Sequence, residues 1–136
     1  MIIMAVDLGK ARTGIAASDK TEYLASPVAV IPEKRREVLL TKVAETAREI
    51  KAELIVVGLP RNMDGSEGES AQNARSFAQE LSAELGIETV LWDERCTTIT
   101  AHGYLNDTNT RGKKRKAVID QVAATVILQS FLDSRR

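Results

Sequence analysis

Six apolar residues, Met1 to Val6, run straight into an aspartate, Asp7. An unbroken apolar run of this length reads as a buried strand. A carboxylate at the tip of such a strand is expensive when ionised and unpaired. Something must pair with it. One answer is local, since a strand-end aspartate can bond the amides of the following turn. The turn here is Asp7-Leu8-Gly9-Lys10-Ala11-Arg12-Thr13-Gly14. Its glycines would also let a phosphate-bearing ligand approach the backbone, and Lys10 and Arg12 place positive charge beside the acid. Read alone, the pattern leaves both answers open.

At 136 residues the chain is expected to form one domain, 1–136, with a substantial core. Lys plus Arg and Asp plus Glu are 19 each, so the formal net charge is zero. That balance argues against a general polycation but allows a local basic surface. The single cysteine, Cys96, excludes an internal disulfide. With one histidine, His102, it argues against zinc. Cys96 reads as a small buried filler and His102 as a helix-surface residue. No basic residue precedes the first apolar run, and no segment nears the roughly 20 apolar residues of a membrane span. A soluble, cytoplasmic protein is expected.

The periodicity predicts strands at Met1–Leu8, Thr13–Ser18 and Ala25–Ile31. Their short connections imply antiparallel pairing. Leu39, Leu40, Val43, Ala47 and Ile50 predict a helix over Glu37–Lys51. Leu54–Val57 reads as a short buried strand, and the segment from Gly58 to Gly68 as a loop. Ser70–Leu85 reads as a helix ended by Gly86. Glu88–Trp92 is a predicted strand, Thr97–Leu105 a helix, Asn106–Lys116 a polar loop, and Val118–Leu132 a helix. The order βββ-α-β-α-β-α-α predicts an α/β fold. Its mixed five-stranded sheet has three antiparallel strands, then two parallel ones reached by crossovers, and is flanked by helices.

Two further acidic sites matter. Asp93-Glu94-Arg95 follows a strand, at the carboxyl edge where open α/β sheets bind ligands. Asp7 shares that edge if the first and fifth strands run parallel. The competing reading is a helix start, where acids are also favoured. Asp120 shares a helical face with Ala123, Ala124, Ile127 and Phe131. It is either a helix N-cap, with the helix starting late, or an acid aimed at the strand ends. Arg111-Gly112-Lys113-Lys114-Arg115-Lys116 holds five cations in six residues. It is either a solvated loop or a phosphate-backbone surface. Arg61 and Lys34-Arg35-Arg36 add cations elsewhere. Aromatic residues make up 4% of the chain, too few for a base-stacking platform.

These residues resemble the YqgF/RuvX family of Holliday junction resolvases and pre-16S rRNA nucleases, across essentially the whole chain. Asp7–Ala16 looks like the first motif of that family and Val56–Ser66 the second. Asp93-Glu94-Arg95-Cys96-Thr97-Thr98 looks like the third, and the basic run with Ile119–Gln129 the fourth. The family often has a larger apolar residue where Cys96 stands. The resemblance implies an RNase H-like domain with Asp7, Glu94 and Asp120 as catalytic acids. Asp7, Asp93, Glu94 and Asp120 become the candidate metal ligands, and oxygen donors favour Mg²⁺ or Mn²⁺. Two such ions about 4 Å apart could clamp the attacking and leaving oxygens of a phosphodiester, with water as nucleophile. Lys10, Arg12, Arg61, Arg95, Arg111, Lys113, Lys114, Arg115 and Lys116 would contact nucleic acid.

The implied function is metal-dependent endonucleolytic cleavage of structured nucleic acid, foremost 5′-end processing of precursor 16S rRNA in ribosome biogenesis. Holliday junction resolution in DNA recombination and repair is the alternative substrate class. Junction cleavage would favour a homodimer over a monomer. Two rivals differ in class. Actin-like ATPases and sugar kinases also open on an Asp-x-Gly hairpin, but they need two such domains. A nucleic-acid-binding module could keep the fold without turnover.

Overall fold

The computed structural model describes residues 1–62, 64–94 and 112–135, with backbone alone for 112–121. Among the described residues are five strands: β1 (Ile3–Leu8), β2 (Thr13–Ser18), β3 (Ala25–Ile31), β4 (Leu54–Leu59) and β5 (Glu88–Asp93). The same residues hold three helices: α1 (Arg36–Ile50), α2 (Glu69–Leu85) and α3 (Gly112–Ser134). The sheet order is β3-β2-β1-β4-β5. β2 is antiparallel to both β1 and β3, while β4 is parallel to both β1 and β5. The expected mixed sheet is therefore observed, and β1, β4 and β5 share one carboxyl edge.

Alternation along the strands divides the core. Met4, Val6, Ile15, Ile55, Val57 and Leu59 face α1 and α2, meeting Leu39, Val43, Ala47, Ala74, Phe77 and Leu81. Ile3, Ala5, Ala16, Leu54 and Val56 face the other way, against Ala124, Ile127, Leu128, Phe131 and Leu132 of α3. Every residue of β4 is buried, as a strand covered on both faces must be. Arg36 ties α1 to α2: its guanidinium donates to Glu80, Asn73 and Ser76 and lies over the Phe77 ring.

Trp92 and Gln129 fix the C-terminal half of α3. The Trp92 indole donates to Ser130 Oγ at 3.2 Å and meets the Phe131 ring edge-on, with centroids 5.5 Å apart. Gln129 Oε1 accepts from the Ala25 amide at 2.9 Å, and its Nε2 donates to the Tyr23 carbonyl at 3.1 Å. These bonds hold that end of α3 near the β2–β3 connection. Further back along the helix, Ile127 lies beside Gly58 near the carboxyl end of β4. The helix thus approaches the carboxyl edge in its N-terminal direction.

Two expectations change. β4 runs two residues further than expected, because Gly58 and Leu59 keep pairing with Trp92 and Asp93. Gly58 thus belongs to the strand and not to the loop after it. α3 begins at Gly112, so Lys113, Lys114, Arg115 and Lys116 occupy its opening turns in place of the expected loop. α3 therefore starts six residues before the expected Val118. Alanine-rich and straight-chain residues propagate a helix well, and lysine and arginine are good helix formers. The predicted helix over Thr97–Leu105, with Cys96 and His102, lies outside the described residues.

Candidate active site

The carboxyl edge gathers the described acids because three parallel strands end there. Alternation puts Asp7 on the α3 side of β1, following Ile3 and Ala5. Glu94 leaves β5 just after Asp93, on the side that Trp92 and Val90 occupy. Its carboxyl group reaches Asp7 and hydrogen-bonds it. The two acids that the sequence placed 87 positions apart (94 less 7) are thus in contact.

Their electrostatics follow from that contact. Burial pushes the Glu94 carboxyl up from 4.5 to about 9, and the hydrogen bond and repulsion from Asp7 push the same way. The charge of Asp93 adds to the effect. At neutral pH Glu94 therefore holds a proton and donates it in the bond to Asp7. The purely local reading of Asp7, as an acid serving its own turn, does not account for this partner. The tightness of the turn has another source: a side chain at Gly9 would run into the Arg12 carbonyl.

Two carboxyl groups pressed together on a partly buried surface need a shared proton or a shared cation. The donors here are all oxygen, which suits a hard divalent ion. Among the described residues no three Asp, Glu, His or Cys side chains converge closely enough to form a complete metal cluster. The described donors are the Asp7–Glu94 pair, with Asp93 adjacent.

Asp120 belongs to α3, in its third turn, and its side chain lies outside the described residues. An N-cap precedes the first turn of a helix, so the capping reading of Asp120 does not hold. Its backbone position is seven residues before Ile127, roughly 10 Å further along the helix axis.

The expected cations fall into different surroundings. Lys10 is exposed on the β1–β2 turn and lines an open cleft of about 630 Å³ with Ser70, Asn73 and Ser76 of α2. Arg12 is half-buried on the same turn. Arg61 follows β4, with Nη2 3.3 Å from Glu67, a carboxylate that Arg75 also grips at 2.6 Å. Arg61 Nε is buried without a hydrogen-bond partner among the described residues. Arg35 pairs with Glu33 and Arg36 with Glu80, so both serve local structure. Arg95 and Arg111, and the side chains of Lys113, Lys114, Arg115 and Lys116, lie outside the described residues.

The acidic pair makes stability depend on pH. Unfolded, Glu94 titrates near 4.5; folded, it keeps its proton to about 9. The folded state binds more protons between those values, so this contribution is full below 4.5 and is lost as pH rises toward 9. The melting temperature of metal-free protein is expected to fall across that window, and Glu94→Gln should flatten the fall. A fall of equal size in the Glu94→Gln protein would place its origin elsewhere.

Comparison with known proteins agrees with this fold and identifies the family. The sequence profile of the RuvX family, described as Holliday junction resolvase, matches residues 1–134. A protein of Nitrosospira multiformis named "Putative pre-16S rRNA nuclease" is 42% identical over 132 residues, covering 97% of this chain and 87% of its own. One of the same name from Anaeromyxobacter is 42% identical over 135 residues, covering 99% and 98%. Among solved structures, Thermus thermophilus RuvC in complex with a Holliday junction substrate superposes with a TM-score of 0.65 at 13% identity, covering 99% of this chain and 95% of that one. The fowlpox virus resolvase bound to Holliday junction DNA gives 0.63 at 12%, covering 99% of each. These structural likenesses show a shared RNase H-like fold. With the profile spanning nearly every residue and relatives above 40% identity along their length, the chain belongs to the RuvX family.

Proposed function

We propose that this protein is a divalent-metal-dependent endonuclease of structured nucleic acid, with 5′-end processing of precursor 16S rRNA as its principal task. The observation that carries the reading is the contact between Asp7 and Glu94 at the carboxyl edge. The relatives above 40% identity, named for pre-16S rRNA, favour that substrate. The family's description favours junction DNA as the second reading.

The proposed catalytic acids are Asp7, Glu94 and Asp120, with Asp93 as a further candidate ligand for Mg²⁺ or Mn²⁺. A divalent ion bound there would supply a Lewis acid and lower the pKa of attacking water. The chain's own residues prepare the site. Trp92, held by Ser130 and Phe131, anchors the end of β5 from which Glu94 projects. Asp7 and Glu94, in contact, would hold a divalent cation in place of the proton they share. Lys10, Arg12 and Arg61 surround the edge and would orient phosphates; Arg95 would orient the acids or the substrate. In the hydrolysis a water oxygen bonds to phosphorus as the P–O bond to the leaving sugar breaks.

The basic run supports a polyanionic substrate. Lys113, Lys114, Arg115 and Lys116 open a helix with no acid in its first turn. Cations there oppose the helix macrodipole, an arrangement that a phosphate backbone would relieve. The whole chain would act as one nuclease domain, as a monomer or a homodimer. Among the described residues no helix is long and apolar enough to cross a membrane.

The direct test is cleavage of precursor 16S rRNA and of four-way junction DNA with and without Mg²⁺. Asp7→Asn should abolish metal-dependent cleavage while metal-free stability largely holds, since the asparagine Oδ1 can still accept the hydrogen bond from protonated Glu94. Asp120→Asn should also abolish it, because a neutral amide is a poor Mg²⁺ ligand. Wild-type rates in either variant would remove that residue from the catalytic set. ATP hydrolysis without nuclease activity would favour the ATPase class instead.

Neutralising Arg111, Lys113, Lys114, Arg115 and Lys116 together should weaken nucleic-acid binding and leave metal binding unchanged. Each lost phosphate contact should flatten the slope of log K against log salt by roughly 0.7 to 0.9. The loss should be similar across sequences, as backbone contacts position without specifying. Affinity measured at several salt concentrations in Ca²⁺ checks this. An unchanged slope would move the binding surface to Lys10, Arg12 and Arg61.

A further inference from the structure

Asp7 and Glu94 come from strands that are not neighbours. β4 runs between β1 and β5, so the two backbones are separated by roughly 10 Å, two interstrand spacings. The Glu94 side chain must cross the α3-facing surface of β4 to reach Asp7. The residue at the crossing is Gly58. It pairs with Trp92 on one side and lies one residue past the Val6–Val57 pair on the other, level with Asp7.

A methyl group on Gly58 would lie 2.8 Å from Oε1 and 3.0 Å from Cδ of Glu94, and 2.9 Å from Cδ1 of Ile127. Both obstructed groups are the free ends of flexible side chains. The strand could therefore keep its course while the Glu94 carboxyl moved aside. Backbone conformation does not explain the glycine, because Gly58 lies outside the positive-φ region. Within a strand, glycine also weakens the fold through chain entropy and a missing side chain.

We infer that Gly58 is a positioning residue: its lack of a side chain opens the path along which Glu94 crosses β4 to meet Asp7. The consequence for cleavage rests on the nuclease reading above; the consequence for the carboxyl contact does not.

Three proteins test this: Gly58→Ala, Ile127→Val, and the double variant. Ile127→Val removes the Cδ1 obstruction and leaves the Glu94 obstruction in place. Any melting temperature lost in Gly58→Ala should therefore be largely recovered in the double variant. Cleavage should not recover, remaining about 100-fold below wild type, the scale of an ångström-sized displacement of a reacting group. A readout independent of activity is the ¹³C carboxyl resonance of Glu94 in metal-free protein at one fixed pH. Asp7→Asn should shift that resonance in an otherwise wild-type chain and in Ile127→Val. It should leave it unmoved when Gly58 is alanine.

Recovery of cleavage together with stability in the double variant would make Gly58 a packing residue only. A Glu94 resonance that still responds to Asp7→Asn with alanine at 58 would likewise overturn the inference. If wild-type protein cleaves no nucleic acid, the nuclease reading fails, and the resonance alone decides the role of Gly58.

Discussion

Two carboxyl groups in contact, on a surface that only partly admits water, are the constraint around which this molecule is arranged. Such a pair raises the free energy of the folded chain unless a proton or a cation joins it. Glu94 meets that demand by holding its proton to about 9. The arrangement needs three parallel strand ends in a row, and the sheet order β1-β4-β5 supplies them. It needs β1 and β5 to present their acids on one face, and strand alternation does that. It also needs an unobstructed middle strand, and Gly58 provides it. A core that served stability alone would have used an apolar side chain at each of these positions.

The helix on that face is held from its far end. Gln129 bonds the start of β3 and the β2–β3 connection, while Ser130 and Phe131 engage Trp92. Trp92 precedes Glu94 by two residues on the same side of β5. One set of contacts thereby orients both the strand that delivers Glu94 and the helix that contains Asp120. The opposite face, with α1 and α2 clamped by Arg36, contributes packing and the floor of the sheet.

Much of this was legible in the sequence, and for identifiable reasons. Of the apolar run Met1–Val6, Ile3–Val6 lies in the buried strand and Met1 and Ile2 fall outside it, while the acid at its tip demanded a partner. The strand–helix alternation after residue 36 fixed the parallel half of the sheet. The anomaly at Asp120 was visible as an acid among alanines and isoleucine. What periodicity could not reveal was where β4 stops, since glycine and proline normally end a strand and here the glycine lies inside it. Its role depends on a side chain 36 positions later (94 less 58), a relation that local pattern does not carry. The start of α3 escapes the pattern for a related reason: a basic run reads as a solvated loop, although lysine and arginine are themselves good helix formers.

The role of the acidic pair turns on whether Asp7 and Glu94 together hold a divalent cation. A ligand that binds only the folded state raises its melting temperature, by an amount set by concentration relative to Kd. Thermal denaturation of wild-type, Asp7→Asn and Glu94→Gln proteins with and without excess Mn²⁺, at a pH near 8, measures this directly. Mn²⁺ should raise the melting temperature of the wild type, and each substitution should remove the rise. No rise in the wild type, or the same rise in all three, would contradict it.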